Sequence, residues 1–284
     1  MGYTPQLSLP VPSLAGLSFK RQVSLLKRTG FSGIELFMFP YAVQRLARYQ
    51  AIAKEADMRL SLHQPWSYTE GQVFLNRILD AVGFLPKDGY RLEPIVRNGN
   101  GELFVTYCDR LDEAKALGKT GSPVMIAFQT ACAWKGSGES RTHRVSYQWF
   151  VEHILPTDMP IVFDTFHVLE WQKGKAGGKS LASYNTSEIA EQLLYLWRQI
   201  GAKRVVEIHW NDFIADSRKG GGNDGRACLP GEGILAKGLR LLAFELKWDG
   251  WRGAIVPELS PFSLFPYSVR KLIALRLRME QFFA

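Results

Sequence analysis

Short apolar segments rich in β-branched residues alternate with amphipathic helical stretches along the whole chain. This alternation restricts the fold class more than any other feature. Parallel strands cannot be joined by tight turns, and a helix is the usual crossover between them. The expected strands are Gln6 to Leu9, GIELF at 33–37, RLSLH at 59–63, VMIAFQ at 124–129, PIVFDTFH at 160–167, RVVEIHWND at 204–212 and GAIVPEL at 253–259. Between them, one helix carries Phe19, Val23 and Leu26 on one face, with Ser18 as its cap and Gly30 as its stop. A second starts near Ser187, turns Ile189, Leu193, Leu196 and Ile200 inward and ends at Gly201. A third follows Gly233 with Leu235, Leu239, Leu242 and Leu246, and Val269 to Phe283 forms a closing helix. A chain of 284 residues suits one barrel of this kind, for which about 250 is typical. The expectation is a single-domain α/β protein, a (β/α)8 TIM barrel over residues 1–284.

The region from Gly83 to Gly121 departs from the rhythm. In RLEPIVRNGNGELFVTY two apolar runs flank NGNG, a hairpin signal. Either strand four lies here beside a hairpin insertion around residues 90–108, or the strand register changes.

Composition excludes some classes and leaves others open. No run approaches the roughly 18 apolar residues of a membrane span, and MGYTPQLSLP lacks a basic segment followed by an apolar one. Cys108, Cys132 and Cys228 are too scattered for a zinc motif and too few for a disulfide framework, so a cytoplasmic protein is expected. The net charge of +8 hints at an anionic partner. Charge bears on solubility and steering, however, and does not by itself argue for nucleic acid. A homo-oligomer is compatible with the sequence.

The chemistry gathers at strand ends. Strand three ends in His63, strand six in Asp164 with His167 beyond it, strand seven in His209, and the last strand in Glu258. Parallel barrel strands all present their C-terminal ends to one mouth, so these side chains converge. Imidazoles and carboxylates meeting there make a candidate site for Mn2+, Mg2+, Zn2+ or Fe2+. Three of the five histidines in the chain occupy such positions. Trp66, Phe166, Trp171 and Trp210 flank them and serve either to stack on a ligand face or to pack against loops. Two Gly-rich basic loops, WQKGKAGGKS and DSRKGGGNDGR, follow strands six and seven. They are solvated surface loops or a lid in which Lys173, Lys175, Lys179, Arg218 or Arg226 holds a phosphate or carboxylate.

In order and spacing, FSGIEL, LSLHQPW, IVFDTFH, VVEIHWND, LPGEGIL and IVPELSP resemble the serial signatures of the xylose isomerase-like TIM barrels. That superfamily includes sugar epimerases and isomerases, sugar-acid dehydratases and the endonuclease IV repair enzymes. The resemblance implies that Asp164, His209 and Glu258 are metal ligands and that His167 contacts substrate near the metal. It also implies that Glu35 and His63 line the same mouth. One position departs: the family glutamate that ends strand five, a ligand and acid/base group, is Gln129 here. An amide oxygen can still ligate a hard cation, but it cannot exchange a proton near neutral pH. The repair-enzyme pattern is further off, because GRA at 225–227 stands where an Asp-x-His pair is required and no histidine lies between His63 and His143.

The resemblance therefore implies a metal-dependent isomerase, epimerase or dehydratase acting on a sugar, sugar phosphate or sugar acid. Glu258 or His167 would move the proton, and Gln129 would complete the metal shell. Trp66, Trp210 and Arg218 would contact substrate. Two alternatives stand beside it: a metal-dependent phosphodiester hydrolase related to endonuclease IV, and a barrel without catalysis that acts as a binding protein.

Overall fold

A computed structural model describes residues 6–37, 40–63, 92–96, 127–130, 147–167, 185–215, 225–259 and 264–284. Its barrel strands are β1 (Gln6–Pro10), β2 (Gly33–Phe37), β3 (Arg59–His63), β4 (Leu92–Val96), β5 (Ala127–Gln129), β6 (Ile161–Asp164), β7 (Val205–His209) and β10 (Ala254–Val256). They pair side by side in that order, all parallel, and β10 pairs back onto β1. A separate antiparallel ribbon, β8 (Asp212–Ala215) with β9 (Gly225–Cys228), follows β7.

The parallel α/β architecture expected from the alternation is the one observed. Strand four falls at Leu92–Val96, inside the irregular region, while the remainder of the expected hairpin lies outside the described residues. The last barrel strand is shorter than the 253–259 expected, so Glu258 stands two residues beyond its end.

The helices are α1 (Phe19–Arg28), α2 (Pro40–Gln44), α3 (Leu46–Glu55), α4 (Tyr147–His153), α5 (Thr186–Ile200), α6 (Ala236–Trp248) and α7 (Val269–Gln281). Ser18 occupies the N-cap position of α1 without a side-chain capping hydrogen bond. By contrast, α5 begins with a full capping box: the Asn185 side chain accepts from the backbone while Glu188 reaches back to the Asn185 N–H. Its inward residues Ile189, Leu193, Leu196 and Ile200 are buried. So are Leu235, Leu239, Leu242 and Leu246 on and just before α6, as the sequence periodicity requires. The two helices pack closely because Gly238 has no side chain. A Cβ there would sit 3.2 Å from Leu193 and 3.3 Å from the backbone of Ala190.

The apolar core includes strand residues such as Leu9, Ile34, Leu60, Phe128, Phe163, Ile208 and Ile255, packed with these helical faces. Buried side chains of this size each contribute roughly 1.5–3 kcal/mol. Polar residues of the same strands are also buried: Ser8, Glu35, Ser61, His63, Gln129, Asp164, Glu207 and His209. Strand alternation separates the two sets. A register shift between β6 and β7 pairs Ile161 with Val205 but Val162 with Glu207. Beyond this bulge, Glu207, His209 and Asn211 share one side of the chain, and Ile208 and Trp210 take the other.

Candidate metal centre

Four strands deliver their terminal residues to one cluster: His63 from β3, Gln129 from β5, Asp164 from β6 and His209 from β7. Glu258 joins them from beyond β10. Ligand atoms of Asp164, His209 and Glu258 lie within 4.8 Å of one another. His209 Nδ1 is 3.5 Å from Asp164 Oδ2 and 3.3 Å from Glu258 Oε1.

Hydrogen bonds fix each carboxylate. Asp164 Oδ1 accepts from the backbone N–H groups of Phe166 (2.9 Å) and His167 (3.1 Å) and from Asn211 Nδ2 (3.2 Å). Its own N–H donates to Thr130 Oγ1 at 2.8 Å. Asn211 also donates to Glu258 Oε2 at 3.1 Å, so a single amide spaces the two carboxylates. The Asn211 backbone is tied to the residue after β6: its N–H donates to Thr165 Oγ1, and the Thr165 hydroxyl donates back to its carbonyl at 3.0 Å. The Gln129 amide nitrogen donates to Asp164 Oδ2 at 3.0 Å and lies 3.2 Å from His209 Nδ1, leaving Oε1 buried without a hydrogen bond.

Two more carboxylates face the other edge of the imidazole. His209 Nε2 lies 3.0 Å from Glu35 Oε1 and 3.4 Å from Glu207 Oε1. Burial pushes the Glu35 carboxyl up to about 7 even though the neighbouring imidazole opposes this. For His209, burial disfavours the charged ring, but Glu258, Glu35, Asp164 and Glu207 outweigh it and hold the proton well above the ordinary histidine range. Glu207 also suffers from burial, yet Arg59 and His209 keep it below the usual carboxylate value.

No protein-family model and no curated protein matches the chain. Solved structures do. A xylose isomerase domain-containing protein from Salmonella typhimurium LT2 aligns with a TM-score of 0.60 at 16% identity, over 100% of this chain and 98% of that one. A D-allulose 3-epimerase from Methylomonas sp., solved in complex with D-allulose, aligns at 0.55 with 13% identity over 100% and 99%. The structure of an L-ribulose 3-epimerase gives 0.56 with 12% identity over 99% and 95%. The fold is a parallel α/β barrel like those of these proteins.

Within that barrel the expected residues fare differently. Asp164, His209, Glu258 and Gln129 come together as the strand ends suggested. His167 joins them from the turn after β6, with Nε2 3.8 Å from Asp164 Oδ2. His63 stacks between Phe37 (ring centroids 4.2 Å apart) and His209 (5.6 Å), and its Nε2 is 3.9 Å from Glu258 Oε1. Glu35 lies behind His209, on its Nε2 side. Trp210 is a correction: it is fully buried and packed against Phe282 and Phe283 from the C-terminal end of the chain. Strand alternation turns it away from its neighbour His209, so it is a core residue and not part of a substrate-binding surface. Trp66 and Arg218 lie outside the described residues.

Sequence reasoning missed Glu207, Asn211 and Asp212. The spacing Glu207-x-His209-x-Asn211 was the available signal, since residues two apart on a strand share a face. Asp212 looks like another ligand but has a different task. Its oxygens accept from the N–H groups of Gly231 (2.8 Å), Gly233 (2.9 Å), Leu235 (3.0 Å) and Phe213 (2.8 Å). It thereby holds the PGEG turn that leads into α6. A Cβ on Gly233 would sit 2.2 Å from the Phe213 carbonyl oxygen, so only glycine fits there.

The donor set suits a divalent cation. One imidazole and two carboxylates match Mn2+, Fe2+, Zn2+ or Mg2+. The orphaned Gln129 oxygen is a further hard donor, reached by turning the amide over.

Proposed function

We propose that this protein is a divalent-metal-dependent isomerase, epimerase or dehydratase acting on a small sugar, sugar phosphate or sugar acid. The observation that carries the reading is the cluster of Asp164, His209 and Glu258 ligand atoms within 4.8 Å, at the strand ends of a xylose isomerase-like barrel. The sugar epimerases that share the fold support the substrate class. On this reading the whole chain is one (β/α)8 domain with a hairpin insertion around residues 90–108, and it works in the cytoplasm. No described helix is long and apolar enough to cross a membrane.

Asp164, His209 and Glu258 hold the metal, with Gln129 as the fourth protein ligand. When bound, the metal supplies Lewis acidity that polarises a substrate carbonyl and acidifies the adjacent C–H. Asn211 holds Oε2 of Glu258 and leaves Oε1 directed toward the cluster, so Glu258 is the carboxylate placed to take a proton. Asp164 Oδ1 accepts three hydrogen bonds, so this carboxylate serves as a fixed anion. His167, partly open beside Asp164, is the second group placed to hand a proton to a substrate oxygen. A two-base epimerisation requires a carboxylate where Gln129 stands. Among the described residues, that favours a one-base isomerisation or dehydration.

One observation favours the rival reading of a binding barrel without turnover: the Gln129 amide already satisfies a metal-ligand oxygen of Asp164. The deciding experiment incubates protein loaded with manganese, zinc or iron with a panel of ketoses, their phosphates and sugar acids in D2O. Deuterium at the carbon next to the carbonyl, lost in Glu258→Gln, is the expected result. Ligand binding without exchange or conversion across the panel supports the rival.

A further inference from the structure

Arg59 and Glu207 take no part in the metal cluster, yet they form an ion pair whose carboxylate is fully buried. Arg59 opens β3 and Glu207 sits inside β7, four places away in the ring of strands, so the pair crosses the barrel interior. Arg59 Nη1 donates to Glu207 Oε2 at 2.5 Å, and the Glu207 side chain is fully buried. A buried carboxylate held this way cannot turn to water without abandoning the guanidinium. Its other oxygen lies 3.4 Å from His209 Nε2, the nitrogen that Glu35 Oε1 approaches at 3.0 Å; both are ion-pair contacts without hydrogen-bond alignment. Among the described residues, the opposite nitrogen, Nδ1, faces the metal-ligand side: Asp164 Oδ2, Glu258 Oε1 and the Gln129 amide.

We infer that Arg59, Glu207 and Glu35 are positioning residues that assign the two nitrogens of His209, keeping Nε2 protonated against the inner carboxylates and presenting Nδ1 as the metal-binding nitrogen. The inference rests on the metal-centre reading above and deepens it. Glu35, expected at the substrate surface, then acts through His209. An imidazole binds a cation through one nitrogen, and a carboxylate on the other sets the tautomer and the ring plane and raises ligand basicity. Here two carboxylates share that role, and Arg59 fixes one of them across the barrel. Filling the barrel interior with charge is the alternative purpose, and it makes no demand on which His209 nitrogen carries the proton.

The test uses the full chain labelled with 15N-histidine and titrated with zinc. Wild type is compared with Glu35→Leu, Glu35→Gln and the paired change Arg59→Met with Glu207→Leu, which removes both charges together so that neither is left buried alone. In the wild-type zinc form, the His209 resonances show a metal-bound Nδ1 and a proton on Nε2 that exchanges slowly with water. Glu35→Leu and the paired variant each lower zinc affinity by roughly 10- to 100-fold and speed that exchange. Glu35→Gln, which keeps an acceptor oxygen, stays within a few-fold of wild type. Zinc on Nε2 in the wild type overturns the inference, as does unchanged affinity with an unchanged Nε2–H signal in the variants. If the paired variant does not fold, the Glu35→Leu and Glu35→Gln comparison decides alone. A wild-type protein that binds no zinc overturns the metal reading as well.

Discussion

Replacing Gln129 with glutamate restores the carboxylate that the sugar-epimerase pattern carries, and the structure sets opposite consequences for the metal-free and metal-loaded protein. Without metal, the new oxygen takes the place of an amide nitrogen 3.0 Å from Asp164 Oδ2 and 3.2 Å from His209 Nδ1. At an effective dielectric constant of about 20, repulsion from Asp164 and attraction to a protonated His209 are each about 5 kcal/mol and nearly cancel. What remains is the lost hydrogen bond from the amide to a charged acceptor, about 2 kcal/mol. For a chain of 284 residues that lowers the melting midpoint by roughly 3 °C. With metal, the added charge strengthens the ligand set by about 100-fold in affinity, equivalent to about 2.7 kcal/mol. The assay is thermal unfolding in chelator and in saturating manganese, alongside calorimetric titration. Gln129→Glu is expected to melt below wild type in chelator and above it in manganese. A variant more stable than wild type in chelator, with no gain in metal affinity, would refute the reasoning.

Three further outcomes follow from the same geometry. Metal-free protein loses stability as pH rises from about 5 to about 8. The folded state keeps a proton on Glu35 up to about 7 that the unfolded chain releases near 4.5, a contribution of about 3 kcal/mol. His209 adds the same sign at higher pH, because its folded-state proton is held well above 6.5. Metal binding requires the His209 Nδ1 proton to leave, so added zinc flattens the decline at its upper end, and melting curves across pH with and without zinc check both slopes. Asp212→Asn places a donor against glycine N–H groups of the PGEG turn and costs about 3 kcal/mol in denaturant unfolding, while zinc affinity changes little. Trp210→Ala empties a core site, costing about 3–5 kcal/mol, and leaves metal affinity intact; a large loss of affinity there would return Trp210 to the site.

Much of the site was legible because a parallel barrel reduces the question to where strands end. His63, Gln129, Asp164 and His209 are the final residues of their strands, and that position alone brings them together. Glu258 was read as a strand end as well, although its strand stops two residues earlier. Legibility failed where side-chain direction mattered. Trp210 adjoins His209 in sequence but faces the core, and Glu207 and Asn211 share the His209 face but do not lie at the expected strand end. The bulge between β6 and β7, which sets that alternation, has no local signature in RVVEIHWND. The β8–β9 ribbon escaped as well. Its strands are four residues each, and the glycine-rich segment between them reads as an open loop. Asp212 belongs to a turn about 20 residues away, a contact that no residue pattern announces.

On the proposed reading, Asp164, His209 and Glu258 hold a divalent cation. The most direct test is elemental analysis of wild-type protein beside Asp164→Ala after dialysis against manganese and zinc, with both shown to be folded by circular dichroism. The account predicts about one ion per wild-type chain and none in the variant. Equal metal in both proteins, or none in the wild type, would contradict it.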